Sequence, residues 1–126
     1  MRPSLLVVPA LLLAAGPAAA ARDRNAVPAA RPAGAPLSCI PIGQIRESQV
    51  RSDRVIDFRM TGRQRVYRVT LPQSCPGLGF ERRFAYATSL SQLCSNDIVT
   101  VLYQTGNMRG ASCGLASFQP VTLARR

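Results

Sequence analysis

Residues 53–71 read DRVIDFRMTGRQRVYRVTL, and the order of apolar and polar side chains in this stretch decides the fold. In its first run Ile56, Phe58 and Met60 alternate with Val55, Asp57 and Arg59. That period of two puts one set on each face of a half-buried strand. The second run repeats the pattern, with Tyr67, Val69 and Leu71 on one side. Thr61-Gly62-Arg63-Gln64 lies between the runs and supplies turn chemistry. A four-residue connection sets Met60 opposite Arg65, Phe58 opposite Tyr67 and Ile56 opposite Val69 on a single face. A three-residue connection would oppose Ile56 with Arg68 and mix a charge into that face. The four-residue hairpin is therefore expected, with Asp57 facing Arg68 on the outer side as a surface ion pair that contributes little.

Working outward, residues 72–79 (PQSCPGLG) carry two prolines and two glycines and read as a structured loop held by Cys75. Gly77-Leu78-Gly79 has half the look of a phosphate-binding loop, but Arg82 stands where a third glycine belongs, so a tight turn is the better reading. Arg82 to Thr88 alternates around Phe84 and Tyr86 and is read as a third strand, in preference to a helix from Leu78 to Leu93. Asp97 to Tyr103 is the most apolar stretch of the domain and rich in β-branched residues, as expected of a central strand buried on both faces. Gln104 to Gly110 is a polar loop. Ala111 to Phe118 returns as a closing strand, and Pro120 points to a sheet edge. Ile40 to Val50 is read as a short strand with a bend or a helical turn. The fold class is mainly β: a small antiparallel sheet of five or six strands, rolled or half-closed into a barrel, with two disulfides.

The start of the chain bears on compartment. Arg2 gives a cationic start, Leu5 to Leu13 an apolar run, and Ala18-Ala19-Ala20 a small-residue cleavage pattern, so residues 1–20 read as a secretory signal peptide. The apolar run is too short for a membrane span, and none is expected in the mature protein. Residues 21–36 are rich in Pro and Ala without apolar periodicity and read as a flexible linker. Residues 37–126 form the domain, about 90 residues, small enough that its core alone gives modest stability.

All four cysteines, Cys39, Cys75, Cys94 and Cys113, lie in that domain, separated by 36, 19 and 19 positions, and the chain has no histidine. Zinc sites favour close cysteine pairs, and redox enzymes favour C-x-x-C, so two structural disulfides are expected in an oxidising compartment. Of the three possible pairings, Cys39–Cys113 with Cys75–Cys94 is favoured, the first tying the domain's ends and the second closing its central excursion.

The formal charge is +10, and every basic residue is arginine. Seven arginines fall within the 23 residues from Arg46 to Arg68, against Glu47, Asp53 and Asp57. The hairpin is thus the most positive segment, and Arg54, Arg59, Arg63, Arg65 and Arg68 are the candidate anion-binding residues. The register buries Tyr67, the nearest stacking surface, which argues against nucleic acid. Abundant Ala, Arg, Gly and Pro without lysine also reads as the composition of a GC-rich coding sequence, and the arginines are interspersed with acids. Without histidine or lysine, Ser-His-Asp, Cys-His, His-zinc and Schiff-base chemistry are excluded. Carboxylate pairs drawn from Glu47, Asp53, Asp57, Glu81 and Asp97 remain, although Asp97 reads as a turn cap. No catalytic, cofactor-binding or metal residues are assigned.

The runs Cys39-Ile-Pro-Ile-Gly-Gln-Ile45, Arg54-Val-Ile-Asp-Phe58, Tyr67-Arg-Val-Thr-Leu71, Ser74-Cys-Pro-Gly-Leu-Gly-Phe80, Gln92-Leu-Cys94 and Ala111-Ser-Cys-Gly-Leu115 together resemble a family of small exported four-cysteine proteobacterial proteins of unknown function. The resemblance spans nearly all of residues 39–120. It implies a periplasmic or secreted domain from a GC-rich Gram-negative source and brings no activity, cofactor or site residues. The expectation is a non-enzymatic binding or envelope-associated module with a basic surface, whose partner is an anionic envelope component or another protein. The alternative is a small carboxylate-dependent hydrolase or an enzyme inhibitor presenting Pro72 to Phe80 or Gln104 to Gly110.

Overall fold

The computed structural model describes residues 3, 4, 6, 7, 9, 10, 26–62, 65–88, 90–106 and 108–124. Most of the signal-peptide segment lies outside them, as does Arg63. The hairpin read from residues 53–71 is at the centre of the structure. Strand β4 (Val55–Met60) pairs antiparallel with β5 (Val66–Thr70), with Ile56 opposite Val69, Asp57 opposite Arg68 and Phe58 opposite Tyr67. The Met60 N–H donates to the Arg65 carbonyl at 2.9 Å, closing the four-residue connection.

The hairpin recruits neighbours on both sides. β3 (Ile45–Val50) pairs with β4, joined to it by a turn in which Ser52 Oγ accepts the N–H groups of Arg54 and Val55, both at 3.1 Å. On the other side β10 (Gln119–Leu123) pairs with β5, and β1 (Ala30–Pro32) pairs with β10. This gives a five-stranded antiparallel sheet in the order β1-β10-β5-β4-β3. A second sheet has two strands, β2 (Cys39–Pro41) and β7 (Gln92–Cys94). The third is ordered β6-β8-β9, from β6 (Phe84–Tyr86), β8 (Ile98–Leu102) and β9 (Arg109–Gly114). An α-helical turn, α1 (Leu78–Glu81), precedes β6, and a 3-10 turn at Ile42–Gln44 separates β2 from β3, as the reading of Ile40 to Val50 allowed. The structure is mainly β and antiparallel, with ten strands in three sheets among the described residues where five or six in one sheet were expected. Among the described residues no ladder joins the sheets into a barrel.

The sheets meet through side chains. Phe58 lies edge-on to Phe84 of β6 at 6.3 Å and to Phe118 at 5.7 Å, an arrangement favoured by the aromatic quadrupole. Ile40, Leu71, Leu78, Leu93, Val99 and Val101 complete the same buried cluster, so all three sheets contribute to one core.

Four further expectations are corrected. The disulfides join Cys39 to Cys94 and Cys75 to Cys113. The β2–β7 ladder sets Cys39 directly opposite Cys94, which leaves Cys75 for Cys113 on β9. No cross-link ties the ends of the domain, because β1 and β10 do so with backbone hydrogen bonds.

The segment read as a linker is sheet over part of its length. Ala30 to Pro32 lie opposite Leu123 to Val121, Ala33 donates to the Pro120 carbonyl at 2.8 Å, and Ala29 accepts from Ala124 at 2.9 Å. A three-residue edge strand needs no apolar periodicity, and an edge tolerates proline.

Pro120 is not in an edge strand, since β10 lies between β1 and β5. Its carbonyl faces the β1 side, so its missing N–H falls on that side too, beyond the last paired residue of β1. Lastly, β8 is central in its sheet but buried on one face only: Val99 and Val101 are fully buried, while Ile98 is exposed. A three-stranded antiparallel sheet needs to cover just one side.

Phe58→Ala should lower stability by about 3–5 kcal/mol, because no smaller neighbour can refill a site touched by two other rings. A urea titration of the oxidised protein measures this, and a loss below about 1 kcal/mol would contradict the packing described.

Candidate functional site

Alternation along β4 sends Phe58 into the core and Asp57 to the opposite face of the five-stranded sheet. That face is not open to water at Asp57, whose side chain is only 2% exposed. Arg68 approaches as a fork, Nε to Oδ1 at 2.8 Å and Nη2 to Oδ2 at 3.0 Å. Arg51, from the β3–β4 turn, adds Nε to Oδ2 at 2.9 Å. Arg68 also donates from Nη1 to the Pro28 carbonyl at 2.9 Å, which holds the segment before β1 across this face. The expected surface ion pair is thus a buried cluster of one carboxylate and two guanidiniums. The register matches the sequence pattern; the contact from the Pro28 carbonyl comes from a segment with no apolar pattern to announce it.

The four described anion-binding candidates, Arg54, Arg59, Arg65 and Arg68, do not gather at one site. Arg68 belongs to the Asp57 cluster. Arg54 donates from Nε to the Leu71 carbonyl at 2.8 Å and from Nη2 to the Pro72 carbonyl at 3.2 Å, fastening the end of the hairpin. Arg59 stands 3.4 Å from Glu47 in a half-exposed pair. With Arg46, Val66, Val121 and Leu123, Arg59 lines a shallow cleft of about 410 Å³ on the outer face of the sheet. Arg65 is exposed and borders a neighbouring recess with Thr61 and Tyr67. Arg63 is outside the described residues.

Each of the five carboxylates among the described residues has a structural task. Glu47 Oε1 meets Arg59 and accepts from Gln49 Nε2 at 3.0 Å. Asp53 Oδ1 accepts the Gly79 N–H at 2.7 Å. A side chain at Gly79 would place its Cβ 2.9 Å from the Asp53 nitrogen, so only glycine lets the two backbones approach this closely. Glu81 Oε2 accepts the Gln104 N–H at 3.1 Å. Asp97 Oδ2 accepts the Cys94 N–H at 2.7 Å, the turn cap its sequence context implied. By contrast Arg31, Arg46, Arg65, Arg83 and Arg109 are exposed and make no ion pair among the described residues.

Sequence reasoning missed Arg83 and Arg109 as candidate site residues. The signal was faint: each stands beside a turn, and neither belongs to the arginine-dense segment. No group of three or more metal-ligating side chains is gathered among the described residues, and no helix there is long and apolar enough to cross a membrane. No protein-family model matches the chain, and neither does any curated protein sequence or solved structure.

Asp57→Asn should destabilise the domain by about 3 kcal/mol or more, because it leaves two largely buried guanidiniums without their counter-charge. Glu47→Gln, which breaks the half-exposed pair with Arg59, should cost less than about 1 kcal/mol. Equal midpoints for the two variants in a urea titration would contradict the difference in burial.

Proposed function

We propose that this protein is a non-catalytic, extracytoplasmic binding module that recognises anionic envelope components through arginines its fold leaves exposed. The observation that carries this reading is an imbalance of commitments. Every described carboxylate is tied to a backbone N–H or a guanidinium, whereas five exposed arginines, Arg31, Arg46, Arg65, Arg83 and Arg109, have neither an acidic partner nor a side-chain hydrogen bond among the described residues. A carboxylate hydrolase needs a free pair flanking a cleft, and these five are spread over separate turns and strands. Free surface arginine instead favours charged oxygens, which it meets with a planar fork.

Cysteine chemistry supports this compartment. Two disulfides with no free cysteine among the described residues fit an oxidising space, and residues 1–20 carry the pattern of an exported chain. The likeness to exported four-cysteine proteobacterial proteins belongs to the same proposal and adds no activity to it.

The oxidised protein should be retained on immobilised heparin and elute only as salt rises, since each arginine–anion pair releases a counterion. Replacing Arg46, Arg65, Arg83 and Arg109 by glutamine should flatten the dependence of log K on log salt by about one for each such pair removed. Elution of the parent protein at low ionic strength would sink the proposal.

A further inference from the structure

Two large apolar side chains stand in water at one end of the three-stranded sheet: Phe80 is 85% exposed and Met108 63%. Neither position is an accident of a loose loop. In α1, successive residues turn by about 100°, so Phe80 lies roughly opposite the fully buried Leu78. The turn cannot roll to hide the ring, because Gly79 is pressed against Asp53 and bonded to it. Across from it, the β8–β9 loop is closed by the Tyr103 N–H on the Met108 carbonyl at 2.9 Å, with Gly106 at φ 75° making the turn.

The two loops are fastened together. Gln104 donates its backbone N–H to Glu81 Oε2 and its Nε2 to the Glu81 carbonyl, at 3.1 and 3.2 Å. One residue further into the sheet, the Leu102 N–H meets the Arg83 carbonyl at 3.0 Å, and Leu102 pairs with Arg109. Arg83 and Arg109 thus flank Leu102 just behind the two apolar tips. Both are exposed, while Glu81 is occupied by Gln104 and Asp53 by the Gly79 N–H.

We infer that this end of the molecule docks on an anionic phospholipid bilayer, with Phe80 and Met108 entering the acyl boundary and Arg83 and Arg109 meeting headgroup phosphates. The inference rests on the binding-module reading and names the partner class for one surface of it. Depth is the argument. The apolar groups stand singly, Phe80 on the α1 turn and Met108 in the β8–β9 loop, and the cations follow them where the chain enters the strands beside Leu102, which matches the order of hydrocarbon and phosphate met on entering a membrane. A flat protein partner would have to offer two separate apolar pockets instead.

The test is co-sedimentation of the oxidised full chain with vesicles of phosphatidylglycerol mixed with phosphatidylcholine, and with vesicles of phosphatidylcholine alone. The full chain carries its apolar leader into both, so the difference between the two vesicle types reads the arginine-dependent interaction. We expect tighter binding to the anionic vesicles, weakened about tenfold or more in the double variant Phe80→Ser/Met108→Ser. Heparin retention and melting temperature should stay unchanged in that variant. Arg83→Gln/Arg109→Gln should remove the preference for the anionic lipid. Parental vesicle binding by the Phe80/Met108 variant, or loss of binding in Arg46→Gln/Arg65→Gln alone, would overturn the inference and leave the module reading standing. Absence of vesicle binding with Phe80-dependent capture of a protein would overturn it in favour of a protein partner. Failure of the parent on heparin as well as on vesicles would overturn both.

Discussion

A carboxylate removed from water costs several kcal/mol unless charge and hydrogen bonds are returned to it, and the five-stranded sheet is organised around one such group. Asp57 cannot turn inward, because the alternation that seats Phe58 in the core fixes it on the opposite face. It is therefore satisfied where it stands, by three guanidinium N–H groups from Arg51 and Arg68. Arg51 comes from the β3–β4 turn and Arg68 from β5, so the cluster fastens three strands. Through Pro28 it also holds the segment leading into β1, and β1 in turn completes the ladder on β10. The buried cluster thus adds one anchor to the amino-terminal segment, beside the backbone ladder with β10.

The apolar face poses a different problem. Among the described residues three sheets share one core without a ladder between them, and a domain of this size gains limited stability from burial alone. The disulfides supply what hydrogen bonds do not. Cys75–Cys113 joins the loop after β5 to β9, linking the large sheet's exit to the three-stranded sheet, and Cys39–Cys94 locks the two-stranded sheet. On chain-entropy grounds each is worth about 4 kcal/mol.

Local pattern made part of this legible and left part hidden. The β4–β5 register, the loop at Cys75, the Asp97 cap and the central place of β8 in its sheet all follow from neighbours in sequence. The disulfide pairing does not, because it depends on β2 meeting β7, two three-residue strands with almost no periodic signal. Burial of Asp57 was hidden because it depends on Arg51 and Arg68 folding over the carboxylate, and the pairing of β1 because Pro/Ala-rich backbone joins a sheet through main-chain groups while its composition reads as tether. For the candidate site, counting arginines along the chain located charge density but not availability. Density peaks in the hairpin, where Arg51, Arg54 and Arg68 are used by the fold, whereas Arg83 and Arg109 stand exposed beside Phe80 and Met108.

The central claim is this sorting of one residue type into structural and exposed sets, since both the fold and the proposed function rest on it. Arginine Nε–Hε signals in a nitrogen–proton correlation spectrum of the oxidised protein report it directly, because Arg51, Arg54 and Arg68 all donate from Nε. The account predicts slowly exchanging Nε–Hε signals for these three, with fast exchange at Arg46, Arg65, Arg83 and Arg109. Exchange at Arg51 and Arg68 as fast as at Arg83 would contradict it.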